Sequence, residues 1–272
     1  MHRLFIRNSK VNRVTWRFVS ALIFVLVLAS LPVNAQEDKT GTPEVEDKAM
    51  TIVEHMATVL SKAKQFSFTA DIDFDVVQDS GQKIEFGETR KFVVRRPDHI
   101  RVDVTKRDGS VSGFIFDGKQ IAVFNVQDKV YATAAKQGTT DEAIDYFTNN
   151  LDMRLPLGEL LASDLPKELQ EQLHEAEYVD EATIAGVPCD QVILHAQRAD
   201  VQLWITKGDQ PLPRRMVITY TLAYGQPQFR AQFSDWNLSP KVPDTLFAFT
   251  PPTGAVRIAF APQQPSGDET SD

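Results

Sequence analysis

The sequence FSFTADIDFDV, residues 66–76, alternates apolar and polar residues with a period of two. This period is typical of a β-strand with one buried face and one face in water. Similar runs continue to residue 133, and turn sequences such as Asp79-Ser80-Gly81 and Asp117-Gly118 separate them. The stretch holds eight of the chain's 17 Phe residues. It therefore predicts a meander of strands in which one face of the sheet is aromatic and has to be covered.

Helical and strand signals on both sides of the meander predict an α+β fold. Residues 44–64 carry an apolar stripe at helical spacing, which begins after a Thr42 N-cap. A capping box opens a second, proline-broken helical region at residues 139–175. Strand-like runs resume at residue 178 and end with a short predicted strand at 247–249. The order favours a single highly curved antiparallel sheet of ten or eleven strands, rather than parallel βαβ units.

The first 35 residues have the three regions of a cleavable signal peptide. Five basic residues and no acidic one come first, an apolar run follows at 19–31, and Val33-Asn34-Ala35 ends in a small residue. The apolar run is short for a membrane span and no comparable run follows it, so we expect no stable span after cleavage. An uncleaved N-terminal anchor is the alternative. The sequence therefore predicts an exported, periplasmic protein.

Composition divides the chain into four segments. We expect a signal peptide at residues 1–35, a polar leader at 36–43, one domain at 44–260 and a disordered acidic tail at 261–272. Loss of the signal peptide changes the formal net charge from −8 to −13. Clustered Lys and Arg bind nucleic acids and anionic lipid headgroups, so this acidity argues against a nucleic-acid partner and against membrane binding through a basic patch.

No local pattern in the sequence predicts catalysis, a cofactor or a metal site. Asp71, Asp73 and Asp75 alternate along one strand and would spread over about 13 Å, which is too far for one small cation. A solvated sheet face that resists edge-to-edge pairing is the simpler interpretation. The His residues lack the spacing of metal ligands, and the single Cys189 is expected to be a buried, inert thiol. We therefore predict a protein that is not an enzyme.

The apolar sheet face is then the candidate site. Soluble sheets bury such a face against helices, so a Phe-rich stripe is a plain core by default. Here the predicted helices are short compared with the sheet, and those after residue 139 are broken by prolines, which leaves room for a ligand cavity with a movable cover. Both interpretations stay open. The residues expected to line such a cavity are Phe68, Phe74, Phe86, Phe92, Phe114 and Phe116.

A series of short motifs follows the first predicted helix. Together with that helix, the motifs span residues 44–258. The motifs are Gln65-Phe66-Ser67-Phe68-Thr69-Ala70, Asp79-Ser80-Gly81, Val94-Arg95-Arg96-Pro97, Asp117-Gly118-Lys119, Phe124-Asn125, Tyr131-Ala132-Thr133, Trp236-Asn237-Leu238, Phe247-Ala248-Phe249 and Pro251-Pro252-Thr253-Gly254. No single motif is specific. Together, their order and spacing resemble the periplasmic outer-membrane lipoprotein carrier family, the LolA/LolB-like fold, and in character the chain is nearest to predicted periplasmic members of unknown function.

This resemblance implies a half-barrel of about eleven strands, with a concave apolar face that helices close and that takes up acyl chains. It also implies that Arg96 holds the helices closed through hydrogen bonds. The alternative is that Arg96 lies in solvent at the edge of the sheet. The ligand it implies is a lipid or a lipidated protein, bound and transported in the periplasm without a cofactor. The other interpretation of the same fold is an envelope protein–protein interaction or stress-sensing module with no transported ligand.

Overall fold

The computed structural model describes residues 43–173 and 175–260. The predicted signal peptide, nearly all of the polar leader, the acidic tail and the Thr42 N-cap lie outside the described residues, as does His174. A long helix opens the described chain, and a meander of six strands follows it. The elements are α1 Pro43–Lys62, β1 Gln65–Val77, β2 Lys83–Arg95, β3 His99–Lys106, β4 Val111–Phe116, β5 Gln120–Asn125 and β6 Val130–Ala135.

A helical insert and a second meander complete the fold. The capping box predicted at the start of the insert is confirmed, because Thr139 and Glu142 bond each other's backbone N–H groups there. The insert contains α2 Thr140–Asp145, a π-helical turn Tyr146–Asn150, a 3-10 turn Gly158–Leu161 and α3 Leu165–Gln172. The strands that follow are β7 Glu175–Ile184, β8 Val187–Ala196, β9 Ala199–Thr206, β10 Pro213–Thr219, β11 Gln228–Asn237 and β12 Val256–Arg257.

The strands of the described residues form one open, curled sheet in the order β12-β6-β5-β4-β3-β2-β1-β11-β10-β9-β8-β7. Neighbouring strands are antiparallel except β12, which lies parallel to β6. The prediction of an α+β half-barrel is confirmed, with twelve strands in place of about eleven. The two meanders meet at the centre of the sheet, where the first strand, β1, pairs with β11.

The alternation in β1 decides which face of the sheet carries the core. Phe66, Phe68 and Ile72 are buried on the concave face, whereas Asp71 between them is exposed on the convex face. Burial weakens towards the end of the strand, where Phe74 is only partly buried. The concave face is therefore closed at one end of the central strands and more open at the other.

Helices from both regions cover the concave face. The first helix, α1, packs against β7, β8 and β9, and the ammonium of its Lys48 lies 3.2 Å from the centroid of the Tyr178 ring on β7. Over the other half of the sheet, the Phe147 ring of the π-helical turn meets the Phe114 ring of β4 edge-on, with centroids 4.7 Å apart. The 3-10 turn packs against α1, α2 and α3 and buries Leu161 completely. We call these helical segments together the cover.

The strand predicted at residues 247–249 is wrong. A 3-10 turn at Asp244–Leu246 precedes this segment, and residues 247–255 are not part of the sheet. Instead the segment crosses the convex face: the Phe247 ring lies 4.9 Å from the His99 ring, and the Phe249 ring stacks 6.1 Å from the Phe124 ring. The two-residue spacing of the aromatic rings thus reflects two separate docking positions on the sheet. Pro251 and Pro252 lack backbone donors, so a sheet ladder could not continue through them.

A histidine on the convex face near the β7 edge gives the fold a pH-dependent element. Partial burial lowers the pKa of His195, but its bonds to Asp200 (Nδ1 to Oδ1, 2.8 Å) and Glu177 (Nε2 to Oε1, 3.2 Å) outweigh burial and raise the pKa. A raised pKa means that the protonated imidazole favours the folded state. This contribution is complete below the unfolded pKa of about 6.5 and disappears as pH rises through the folded value.

We expect His195→Gln to lower the melting temperature at pH 5, and we expect this effect to decrease as pH rises through the raised pKa of His195, because the imidazole loses its proton there. Scanning calorimetry of both proteins from about pH 5 to about pH 8.5 measures the difference. The matched control is His55→Gln, at an exposed position on α1, which should follow the wild type throughout. A difference between wild type and His195→Gln that is constant with pH would contradict the prediction.

Candidate functional site

Four of the six aromatic residues predicted to line a cavity lie on the concave face beneath the cover. Phe92 and Phe116 are 0% exposed, Phe68 is 2% exposed and Phe114 is 4% exposed. They come from β1, β2 and β4, with β3 between β2 and β4. Phe68 pairs with Phe92, and Val102 of β3 pairs with Phe92 on one side and with Phe114 on the other. In this structure these rings are buried against other side chains of the protein.

Phe68 is the centre of an aromatic stack. Its ring centroid lies 4.5 Å from that of Phe92 and 4.3 Å from that of Trp236, with Phe233 at 5.9 Å and Phe66 at 6.3 Å. Trp236 belongs to one of the motifs near the end of the sequence, but its contact with Phe68 was not predicted. The irregular register between β1 and β11, at Ser67 to Thr69, accompanies this contact. A local alternation pattern carries no information about such a shift between distant strands.

The other two predicted residues, Phe74 and Phe86, lie at the open end of the concave face. Their ring centroids are 6.1 Å apart, and Phe86 is 40% exposed. Ile84, on the same face of β2, is 39% exposed. Nearby, the loop between β10 and β11 exposes Leu222 by 70% and Tyr224 by 68%. These side chains form an apolar edge in contact with water, which we call the rim; its exposed residues are Ile84, Phe86, Leu222 and Tyr224.

Arg96, which directly follows β2, bonds two segments of the cover. Its Nη1 donates to the carbonyl oxygens of Leu60 (3.0 Å) and Ala63 (2.5 Å) at the end of α1. Its Nη2 donates to the carbonyl oxygens of Leu161 (2.8 Å) and Ala162 (3.0 Å) at the end of the 3-10 turn. The planar guanidinium thus satisfies terminal carbonyl groups of two helical segments at once, which an ammonium would not do.

The guanidinium of Arg96 also lies beside an aromatic ring and is partly buried. Its guanidinium carbon lies 5.2 Å from the centroid of the Phe66 ring, and its Nε is buried without a hydrogen-bond partner. Burial lowers the pKa of Arg96, and the negative charge of Asp141 partly offsets this effect. Asp141 also fastens α2 to the segment before α3, because its carboxylate accepts bonds from the N–H (2.8 Å) and hydroxyl (2.6 Å) of Ser163.

Two charged side chains lie on the concave face of β2 between the buried rings and the rim. The Nε of Arg90 donates to Oε1 of Glu88 at 2.6 Å, and Nη2 of Arg90 lies 2.5 Å from the same oxygen. The side chains are only 11% and 10% exposed. This pair is not among the residues predicted from the sequence. The signal was an interruption in the apolar series Ile84, Phe86, Phe92 and Val94, which skips positions 88 and 90.

The aspartates of β1 are held by arginines on the convex face. Arg107 lies 2.8 Å from Asp71 and 3.0 Å from Asp73, and these hydrogen bonds, led by that of Asp71, raise the pKa of Arg107. Asp75 accepts a bond from Arg230 at 2.8 Å. Within the described residues, no three His, Cys, Asp or Glu side chains converge as metal ligands would. The three carboxylates therefore act as partners for surface arginines.

Cys189, the single cysteine of the chain, is completely buried on β8. Its sulfur lies 3.4 Å from the carbonyl oxygen of Val187, and burial raises the pKa of the thiol. A higher pKa leaves less of the nucleophilic thiolate at neutral pH, which agrees with the buried, inert thiol expected from the sequence.

Comparison with known sequences identifies one family. The sequence model of the family described as "Predicted periplasmic protein (DUF2092)" matches residues 49–261 of this chain. This match confirms the prediction that the chain lies among predicted periplasmic proteins. No curated protein matches the sequence. Among the helices of the described part of the chain, none is long and apolar enough to cross a membrane.

Solved structures of similar fold include three that the chain matches over most of its length. An uncharacterized conserved protein from Thermus thermophilus has 9% sequence identity and a TM-score of 0.46, covering 78% of this chain and 99% of that one. LprF from Mycobacterium bovis has 13% identity and a TM-score of 0.45, covering 72% and 96%. A LolA superfamily protein, NE2245 from Nitrosomonas europaea, has 13% identity and a TM-score of 0.39, covering 74% and 97%. At these identities and scores the likenesses carry nothing about ligand or activity.

Proposed function

The chain belongs to the DUF2092 family of predicted periplasmic proteins, and from that premise we propose that it is a periplasmic carrier without enzymatic activity. Its ligand is the acyl chain of a lipid or of a lipidated protein, held between the sheet and the cover. The observation that carries this proposal is the contact of Arg96 with four carbonyl oxygens of two separate helical segments. One side chain thereby links the closure of the cover to the aromatic face beneath it.

The mechanism couples opening to loading. Parting the cover from the sheet breaks the bonds of Arg96 and exposes rings such as Phe68 and Phe114, which costs free energy. An acyl chain that enters offsets this cost, because each square ångström of apolar surface removed from water contributes about 25 cal/mol. The ligand therefore binds the open form and shifts the population towards it. Apolar side chains at the rim would give the chain a first contact with the protein.

Native mass spectrometry of the protein purified from its own envelope tests the proposal directly. We expect a fraction of the molecules to carry a bound lipid, and the delipidated protein to take up a fluorescent fatty acid. Protein that is always free of ligand, and that takes up no fluorescent fatty acid at lipid concentrations below micelle formation, would overturn the carrier function.

A charge at the rim should separate ligand binding from folding. Phe86 is 40% exposed, so we expect Phe86→Asp to fold but to bind the fluorescent fatty acid at least about 5-fold more weakly, because it puts a carboxylate beside the entering chain. Circular dichroism checks the fold, and a fluorescence titration gives the affinity. The matched control is Val179→Asp, at an apolar residue of β7 that is 45% exposed, and it should bind like the wild type. Unchanged uptake by a folded Phe86→Asp protein would contradict the prediction.

A second candidate function is a protein–protein interaction or stress-sensing module in the cell envelope. The observation that favours it is the exposure of Leu222 and Tyr224, at 70% and 68%, on the loop between β10 and β11. Exposed apolar side chains at a loop tip are typical of surfaces that bind another protein. In that case the aromatic face stays permanently packed, and the uptake experiment with the wild-type protein gives no binding.

A further inference from the structure

The ion pair of Glu88 and Arg90 is a buried charged site on a largely apolar face, and neither the family nor the carrier function accounts for it. We propose that this pair binds the polar head of the acyl ligand, and that this head is neutral: an ester carbonyl beside a hydroxyl, as in a monoacylglycerol. The proposal rests on the carrier function and adds the chemical class of the ligand's head.

The register places the pair at the boundary between the closed and open parts of the concave face. Arg90 pairs with Ala70 on one side and Val104 on the other, and Glu88 pairs with Ile72. Phe92, two residues after Arg90 on β2, is 0% exposed. Phe86, two residues before Glu88, is 40% exposed. An acyl chain beneath the cover would therefore have its polar end near this pair.

The geometry of the pair leaves specific atoms for a third group. Both contacts of Arg90, through Nε and Nη2, end on the single oxygen Oε1 of Glu88. The Nη1 of Arg90 is the donor that can reach an ester carbonyl, and Oε2 of Glu88 is the acceptor for a hydroxyl. A head with one acceptor and one donor at neighbouring atoms matches both. A hydrocarbon chain without such a head matches neither.

Stability of the fold alone does not explain why the pair is there. Taking two charges out of water is costly, and replacing a buried ion pair with apolar side chains of similar volume is often neutral or stabilising. The neighbouring positions on the concave face, Ala70, Ile72 and Val104, are apolar. An apolar pair at positions 88 and 90 would therefore continue the core, and a ligand that needs polar atoms here explains the retained charges.

Charge decides between a neutral and an anionic head. Glu88 already balances Arg90, so a bound carboxylate would come close to the Glu88 carboxylate in a site with little water, where like charges repel strongly. Lys106 of β3 lies across from Glu88, but among the ion pairs of the described residues the partner of Glu88 is Arg90. The pair is thus locally neutral and suits a neutral head.

The test uses the apolar fluorescent dye N-phenyl-1-naphthylamine, which has no head of this kind. One titration measures binding of the dye itself, and two further titrations measure its displacement by monooleoylglycerol and by oleate. We expect wild-type protein to bind monooleoylglycerol at least about 10-fold more tightly than oleate. The double variant Glu88→Leu/Arg90→Met should keep its melting temperature within a few degrees and bind the dye as before, but lose the preference for monooleoylglycerol. The single variant Glu88→Gln removes the negative charge and should move the preference towards oleate.

Each outcome bears on a different claim. If wild-type protein binds the dye and binds both lipids with equal affinity, the assigned head site is overturned. The same follows if the double variant keeps the wild-type preference. Neither result contradicts the carrier function. Failure of wild-type protein to bind the dye or either lipid overturns the carrier function itself. If the double variant does not fold, the Glu88→Gln titrations decide, and an unchanged preference there overturns the proposal.

Discussion

Replacing Arg96 with alanine is expected to lower the free energy of unfolding by about 3–5 kcal/mol, the largest effect of any substitution of a charged residue considered for this protein. Four carbonyl oxygens, two in each of two helical segments, lose their donor at once. A hydrogen bond to a charged group contributes about 1.5–3 kcal/mol, and such contributions within one cluster are not additive. Urea denaturation followed by circular dichroism measures the change. Arg96→Lys should lose most of the same stability, because one ammonium cannot span both segments.

The neighbouring residue supplies the control. Arg95 contacts Asp244 at 2.6 Å, and that aspartate side chain is 89% exposed, so Arg95→Ala should cost less than about 1 kcal/mol. If Arg96 also holds the cover closed, Arg96→Ala should take up the fluorescent fatty acid faster than the wild type, whereas Arg95→Ala should not. An Arg96→Ala protein as stable as Arg95→Ala would show that the four bonds do not hold the cover.

Replacing Phe68 with alanine is expected to cost about 3–5 kcal/mol, because the substitution empties the centre of the aromatic stack. The ring is 2% exposed and lies within 4.5 Å, centroid to centroid, of Phe92 and Trp236. Neighbouring rings are fixed by two different strands and cannot collapse fully into the space. Denaturation in urea gives the loss in stability, and the slope of the transition shows whether the folded state stays compact.

Phe86→Ala is the matched control for Phe68→Ala, since it removes the same aromatic ring at a position that is 40% exposed. We expect it to cost less than about 1.5 kcal/mol. Equal losses at the two positions would mean that the rim is as firmly packed as the interior. That result would argue against an open end of the concave face and therefore also against entry of a ligand there.

Short-range patterns predicted the elements of this fold well. The alternation at residues 66–76 predicted β1 and its buried face, and the capping box at Thr139 predicted the start of α2, because both depend on neighbours within a few residues. The strand at 247–249 was wrong for the opposite reason. Phe247 and Phe249 take their positions from rings on distant strands, and a spacing of two cannot distinguish that from a strand.

The site shows the same division. The aromatic residues of the concave face follow from periodicity, and Arg96 came from the resemblance of its motif. Glu88 and Arg90 were missed because charged residues on a strand are normally assigned to the solvated side. Only the register with β1, which pairs Arg90 with Ala70, shows that these two side chains point to the apolar face. Pairing between β1 and β11 is equally invisible in the sequence, since periodicity gives a strand its face and not its partner.

The central pairing of β1 with β11 also has a consequence for the order of events during folding. Asp75 and Arg230, which bond across this pair, are 155 residues apart in the chain. Closing so long a loop is entropically costly, and folds dominated by such distant pairings form slowly. The first meander can therefore assemble well before the second, and until then the edge of β1 that pairs with β11 stays unpaired. Asp75, whose partner Arg230 lies on β11, leaves a carboxylate on this unpaired edge of β1, where it would discourage pairing with other incompletely folded chains.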